Sequence, residues 1–263
     1  MRRTATAVLC GAFLALGLSA CNPEPVDPTA ECSGTEEKPP GEPGSAEVLL
    51  TVGNARGTRL LTTVLYADGW VLTLAEEAPG AVDALTAPRM APPPPAGRPW
   101  QPAYLGSCQL EGVADLADEE LAADADLGDV PITDQATTVV TYYGGVQPAV
   151  TSAYGLGQEE GADLSRAEQH GRAVLTGLLD ALDEATPVGD VLPVETVQVT
   201  GDAGGQEPVG WPGPPLAELF VEDSCGELTG EQARSVLDYL TSTDEEVGRL
   251  RAEVVPPGLP ACS

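Results

Sequence analysis

The chain has 263 residues, with 41 Asp and Glu against 12 Lys and Arg, one His and a net charge of −29 at pH 7. Nucleic acids and anionic lipid surfaces attract basic protein faces, so this charge argues against both as adsorbing partners. The length allows one large domain or two small ones with a real hydrophobic core.

Arg2 and Arg3 open the chain, and an apolar run from Ala5 to Leu18 follows. The run is too short for a comfortable membrane span and ends in small residues, as a secretory leader does. Leu18-Ser19-Ala20-Cys21 sharpens the reading. An aliphatic residue, two small residues and then Cys is what lipoprotein processing needs. The expectation is removal of residues 1–20, a diacylglycerol thioether on Cys21 and fatty acylation (palmitate) of the new N-terminus. Each buried methylene contributes about 0.8 kcal/mol, so several acyl chains make a stable anchor to a lipid bilayer. The leader carries no acid, so its loss leaves 10 bases against 41 acids, a net charge of −31. No later stretch is apolar for long enough to span a bilayer.

Residues 21–45 hold Lys38-Pro39-Pro40-Gly41-Glu42-Pro43-Gly44 and almost no apolar side chains. Such a composition does not repay ordering entropy, and it reads as an extended, semi-rigid tether reaching up to ~70 Å. Folding is expected from residue 46 to residue 263, in one body or two lobes. Val48, Leu50 and Val52 alternate with Glu47, Leu49 and Thr51 as a strand does. Asn54 to Gly57 reads as a turn, Arg59 to Tyr66 as a second strand, and Trp70 to Leu74 as a third. Asp68-Gly69 between the last two is a strong hairpin signal. Pro88 to Pro102, with Pro92-Pro93-Pro94-Pro95, reads as a long connector.

An acidic helix is expected from about Glu111 to Ala125. Asp124, Asp126 and Asp129 follow with the oxygen-rich look of a calcium loop. The required Gly is misplaced, and the twelfth position is Gln135 rather than Glu, so turn and helix-end aspartates are the simpler reading. Thr137–Tyr143 and Val146–Tyr154 read as a hairpin around Gly144-Gly145. The clearest helix starts at Ser165, whose capping box is completed by Glu168. Its apolar face is Val174, Leu175, Leu178, Leu179 and Leu182, with Arg172 and the aspartates facing elsewhere. His170 borders that face and has no nucleophile motif beside it. A strand over Val191–Thr200, a Gly/Pro-rich loop over Gly201–Pro215, a helix capped by Thr229 and a strand over Arg249–Val255 complete the chain. The class this predicts is α+β, antiparallel sheets built from hairpins with about three helices packed on them.

Besides Cys21, the exported part holds Cys32, Cys108, Cys225 and Cys262. An even number suggests two disulfides, and four cysteines allow three pairings. Cys225 and Cys262 bracket the last helix and strand, which favours their pairing and leaves Cys32 with Cys108. None of the spacings suits zinc or a redox Cys-x-x-Cys pair.

Leu65-Tyr66-Ala67-Asp68-Gly69-Trp70-Val71, the run from Val130 to Val140, Ala153-Tyr154-Gly155-Leu156-Gly157, Trp211-Pro212, Cys225-Gly226-Glu227-Leu228-Thr229-Gly230 and the Pro-Pro-Gly-Leu-Pro-Ala-Cys ending follow the lipidation signal in a distinctive order. Together they resemble uncharacterised secreted lipoproteins of high-GC Gram-positive bacteria, over most of residues 46–263. The resemblance implies a place in the cell envelope and supports the Cys225–Cys262 pairing. Cys32 has no counterpart in the pattern, so its partner stays open. No activity is implied.

The leading functional expectation is a non-enzymatic binding module on the outer face of the cell membrane, anchored through Cys21. Its partner would be an envelope protein or a cell-wall component. One alternative is an envelope hydrolase using an Asp/Glu pair, although one Phe and three Trp after the leader are a thin supply for stacking on sugars. Another is a cation-binding or structural envelope protein. Gly-x-Ser-x-Gly and His-Glu-x-x-His are absent, and no motif calls for a cofactor.

Overall fold

The computed structural model describes residues 26–32, 38–39, 41–56, 58–75, 97–201, 207–220, 224–242 and 250–262. Residues 1–20, read above as a leader, Cys21, the Pro92–Pro95 run and residues 202–206 lie outside them. Three strands open the fold: β1 (Val48–Arg56), β2 (Thr58–Tyr66) and β3 (Trp70–Leu74). Then come β4 (Trp100–Tyr104), α1 (Ser107–Glu120), β5 (Ala125–Asp126), β6 (Thr137–Tyr142) and β7 (Ala149–Tyr154). The chain continues through α2 (Arg166–Asp183), β8 (Thr186–Pro187), β9 (Thr196–Thr200), the single turn α3 (Leu216–Leu219), β10 (Cys225–Thr229), α4 (Gly230–Ser242) and β11 (Arg251–Val254).

The strands form an eight-stranded sheet in the order β5-β7-β6-β1-β2-β3-β4-β8 and a three-stranded sheet in the order β10-β9-β11. All pairs are antiparallel except β5 with β7. The fold is thus α+β, as the alternation of hairpins and amphipathic helices predicts.

The centre of the large sheet is covered on both faces, and its sequence shows it. Val64-Leu65-Tyr66 and Trp70-Val71-Leu72 are continuous apolar runs in which successive side chains go to opposite cores. Leu65 and Val71 join Leu50, Val140, and Val113, Val174, Leu175 and Leu178 of α1 and α2. Val64, Tyr66, Trp70 and Leu72 join Val197 and Val199 of β9, Val236 of α4 and Val254 of β11. Helix pair, large sheet, and small sheet with α4 therefore stack as layers. The indole of Trp100 ties the last two together, donating to the Val254 carbonyl at 2.8 Å.

The β2–β3 hairpin turns where Asp68-Gly69 predicts. Gly69 takes φ +94°, and the Asp68 carboxylate accepts from the Trp70 amide. Elsewhere the structure corrects the sequence reading. Val48 does not share a face with Leu50 and Val52, because a bulge between Val48 and Leu50 turns it to the other core. The end of the proline-rich connector is strand β4, with Pro102 opposite Leu72. Cys225–Thr229 is strand β10, so Thr229 ends a strand paired with Thr196, and a Gly230 at φ +58° starts the helix. The acidic helix begins a turn earlier than expected, where Gln109 Oε1 accepts from the Gly106 amide. It ends at Glu120, and the following residues run out to pair with the edge of β7. The β6–β7 connection is longer than a Gly144-Gly145 turn, and β9 starts at Thr196 rather than Val191.

Candidate functional site

The segment from Val26 to Cys32 does not extend away from the domain. It crosses the outside of α1 and α2 as a strap. Asp27 Oδ1 accepts from the amide and hydroxyl of Thr29, and the Cys32 amide donates to the Thr29 carbonyl, which fixes a compact turn. Val26 packs against the helix-layer core. A Cβ on Gly177 would collide with the Val26 carbonyl, and one on Gly112 with the Pro28 carbonyl. Cys32 is disulfide-bonded to Cys108 in the first turn of α1, and Cys225 to Cys262. Composition points to an extended, semi-rigid tether because it counts apolar residues. It does not weigh a covalent link or two helix glycines that admit a backbone.

Lys38, Pro39 and Gly44 also meet the body. Pro39 is buried, and the Lys38 ammonium lies 5.1 Å from the Trp70 ring centroid. Gly44 lies against Pro257, whose carbonyl accepts from the Tyr66 hydroxyl at 2.7 Å.

Between strap and α1 runs an open groove of about 410 Å³, flanked by Asp27, Glu31, Glu111 and Asp115 and floored in part by the Cys32–Cys108 bridge. Four carboxylates without a base give it a negative field. They do not converge: among the described residues no group of three or more His, Cys, Asp or Glu is placed to hold a metal ion.

The aspartates that resemble a calcium loop serve the sheet edge instead. Asp124 Oδ1 accepts from the Val150 amide on β7, and Asp126 Oδ1 accepts from the Gly128 amide. Asp129 is exposed and is not gathered with them into a ligand set. The Leu127 amide donates to the Ser152 carbonyl, and Arg172 Nη2 to the Tyr154 carbonyl. Together with the short pairing to β5, these contacts cover the outer edge of β7 against strand addition.

Arg172 departs from expectation, since it is buried rather than turned outward. Its guanidinium donates to the carbonyls of Leu127, Gly128 and Tyr154 and to Glu159 Oε1. A buried cation so fully paired is a structural pin between α2 and the ends of β5 and β7. His170 is exposed and lies 3.4 Å from Glu120 across the helix pair.

The shifted titrations have local causes. Burial raises the Tyr66 hydroxyl, with help from Asp68. The Ser165 hydroxyl and amide hold the Glu168 carboxyl below its usual range, as a capping box should. Burial raises Asp183, assisted by Asp180, and burial raises Glu253 against the pull of Arg251. Asp183 ends α2 and Glu253 lies on β11, in different layers. These two carboxyls are not a general acid–base pair.

Comparison of the chain with protein-family models, with curated proteins and with solved structures returned no match. The strap itself was open to discovery in the sequence. Gly112 and Gly177 interrupt two helices where Ala would be better by about 1 kcal/mol, a cost that needs a packing reason.

Proposed function

We propose that this protein is a lipid-anchored extracytoplasmic binding module at the outer face of a bacterial cell membrane. It presents a folded surface to an envelope protein or a cell-wall component. The observation that carries the reading is the disulfide strap. Cys32, eleven residues after Cys21, is bonded to α1, so a pull on the anchor enters the fold at α1 rather than through the residues leading to β1. Two disulfides suit an oxidising compartment. The Leu18-Ser19-Ala20-Cys21 signal supplies the anchor, and the resemblance to secreted lipoproteins points the same way. The shifted acids and the buried Arg172 have structural explanations, which favours binding over hydrolysis.

Cross-linking on living cells tests the proposal, comparing the native protein with a Cys21→Ala form that is exported without lipid. The expected result is an acylated Cys21 in the mature protein and one specific envelope partner captured by the native form. An unacylated Cys21, or capture that does not differ between the two forms, counts against it.

A further inference from the structure

We infer that the strap makes the anchor a short leash, so that the α1–α2 layer faces the bilayer and the layer of β9–β11 with α4 faces away from it. This rests on the lipid anchor proposed above. The argument is one of reach. Val26 is seated on the helix layer, its side chain against that core and its carbonyl over Gly177. Five residue steps separate it from Cys21, and five fully extended residues span at most about 18 Å. A body of this size has a radius of gyration of about 18 Å and is roughly 45 Å across. The leash is thus shorter than the radius of what it holds. To turn α4 toward the bilayer, the chain would have to run half-way round the domain, and five residues do not reach. A free segment of 25 residues would have imposed no orientation.

The side chains presented by the helix layer decide the kind of contact. Glu111, Asp115 and Glu119 are exposed along α1. No helix among the described residues is long and apolar enough to cross a membrane. Carboxylates remain hydrated and repel anionic headgroups, so α1 stands over the headgroups without entering the hydrocarbon. Repulsion is screened beyond about 8 Å at physiological ionic strength, which the leash length permits. The exposed flank of α4, with Ser235 and Asp238, is then the side open to the envelope.

The test uses the lipidated protein purified from membranes and reconstituted into phosphatidylcholine vesicles containing a nitroxide-headgroup lipid. A fluorophore is carried at position 119 or position 238 by a non-native amino acid. The expected result is loss of most emission at 119 and retention of it at 238. A second variant carries a Gly/Ser insertion of about 20 residues between Cys21 and Val26, which lengthens the leash without touching the fold. There the two positions should be quenched alike. Equal quenching in the native protein overturns the inference, and so does a contrast that survives the insertion. Intact mass of the same preparation separates the two ideas. Acylated Cys21 with equal quenching defeats the orientation alone, while Cys21 without lipid defeats the anchor and the orientation with it.

Discussion

The carbonyl oxygen of Val26 occupies the space that a side chain on Gly177 would fill. In an unobstructed helix, Gly→Ala is stabilising by about 1 kcal/mol. Here the added methyl meets backbone, which cannot rotate away as a flexible side chain does. Gly177→Ala should therefore destabilise, by roughly the 1–3 kcal/mol typical of overpacking, and loosen the strap. Thermal melting gives the sign, and faster reduction of Cys32–Cys108 by a mild thiol reports the loosening. A higher melting temperature would mean that Val26 is not held at Gly177.

Arg172 gives a second prediction. Its guanidinium serves three carbonyls and Glu159 from a buried position. Arg172→Met fills much of the volume but leaves those acceptors unpaired, at a cost of about 3–5 kcal/mol. Arg172→Lys should rescue little, because one ammonium cannot reproduce a planar fork reaching several acceptors. Urea unfolding of the three proteins checks the order: native well above Lys, and Lys close to Met. A Lys variant as stable as the native protein would reduce the site to a simple point charge.

How legible this fold was depended on whether the signal was local. Asp68-Gly69 sets a hairpin by its own backbone preferences, and the Ser165–Glu168 capping box starts a helix within one turn. Both could be read directly. Strand β4 could not, because Pro102 argues against a strand unless its neighbours are known. It is tolerated between β3 and a β8 of only two residues. Thr229 has the chemistry of a helix cap, but pairing with Thr196 keeps it in a strand. Arg172 looked like a solvent-facing charge because its acceptors come from residues 127, 128, 154 and 159, distant in sequence. The strap left only an indirect trace, Gly112 and Gly177 within two helices, for the same reason. Asn22 to Ser45 is polar in composition, and what holds Val26–Cys32 in place belongs to α1 and α2.

Tyr66 should set the alkaline limit. Its hydroxyl is buried, donates to the Pro257 carbonyl, and ionises well above the ordinary tyrosine range because burial disfavours the phenolate. The folded state therefore keeps a proton that the unfolded state releases near pH 10. The associated stability is fully present below about pH 10 and is lost as pH rises through the higher folded value. Tyr66→Phe should cost about 1 kcal/mol at neutral pH through the lost hydrogen bond, and should flatten the fall in stability above pH 10. Urea midpoints from pH 7 to pH 11 test both, and parallel curves would reject the assignment.

Trp100 tests how the layers are joined. It lies on β4, paired through β3 to the centre of the large sheet, while Val254 belongs to the small sheet. The indole N–H donates across that boundary from a buried position. Trp100→Phe keeps an aromatic ring but orphans the Val254 carbonyl and leaves a void, which together should cost about 2–4 kcal/mol. The loss falls on the contact between layers, whereas β1, β2 and β6 keep their ladder. Hydrogen exchange should consequently accelerate most in β9–β11, with the amides of β1 and β2 changing least. Uniform acceleration across both sheets would instead mean that the layers unfold as one cooperative unit and that the Trp100 bond adds stability without joining two separable parts.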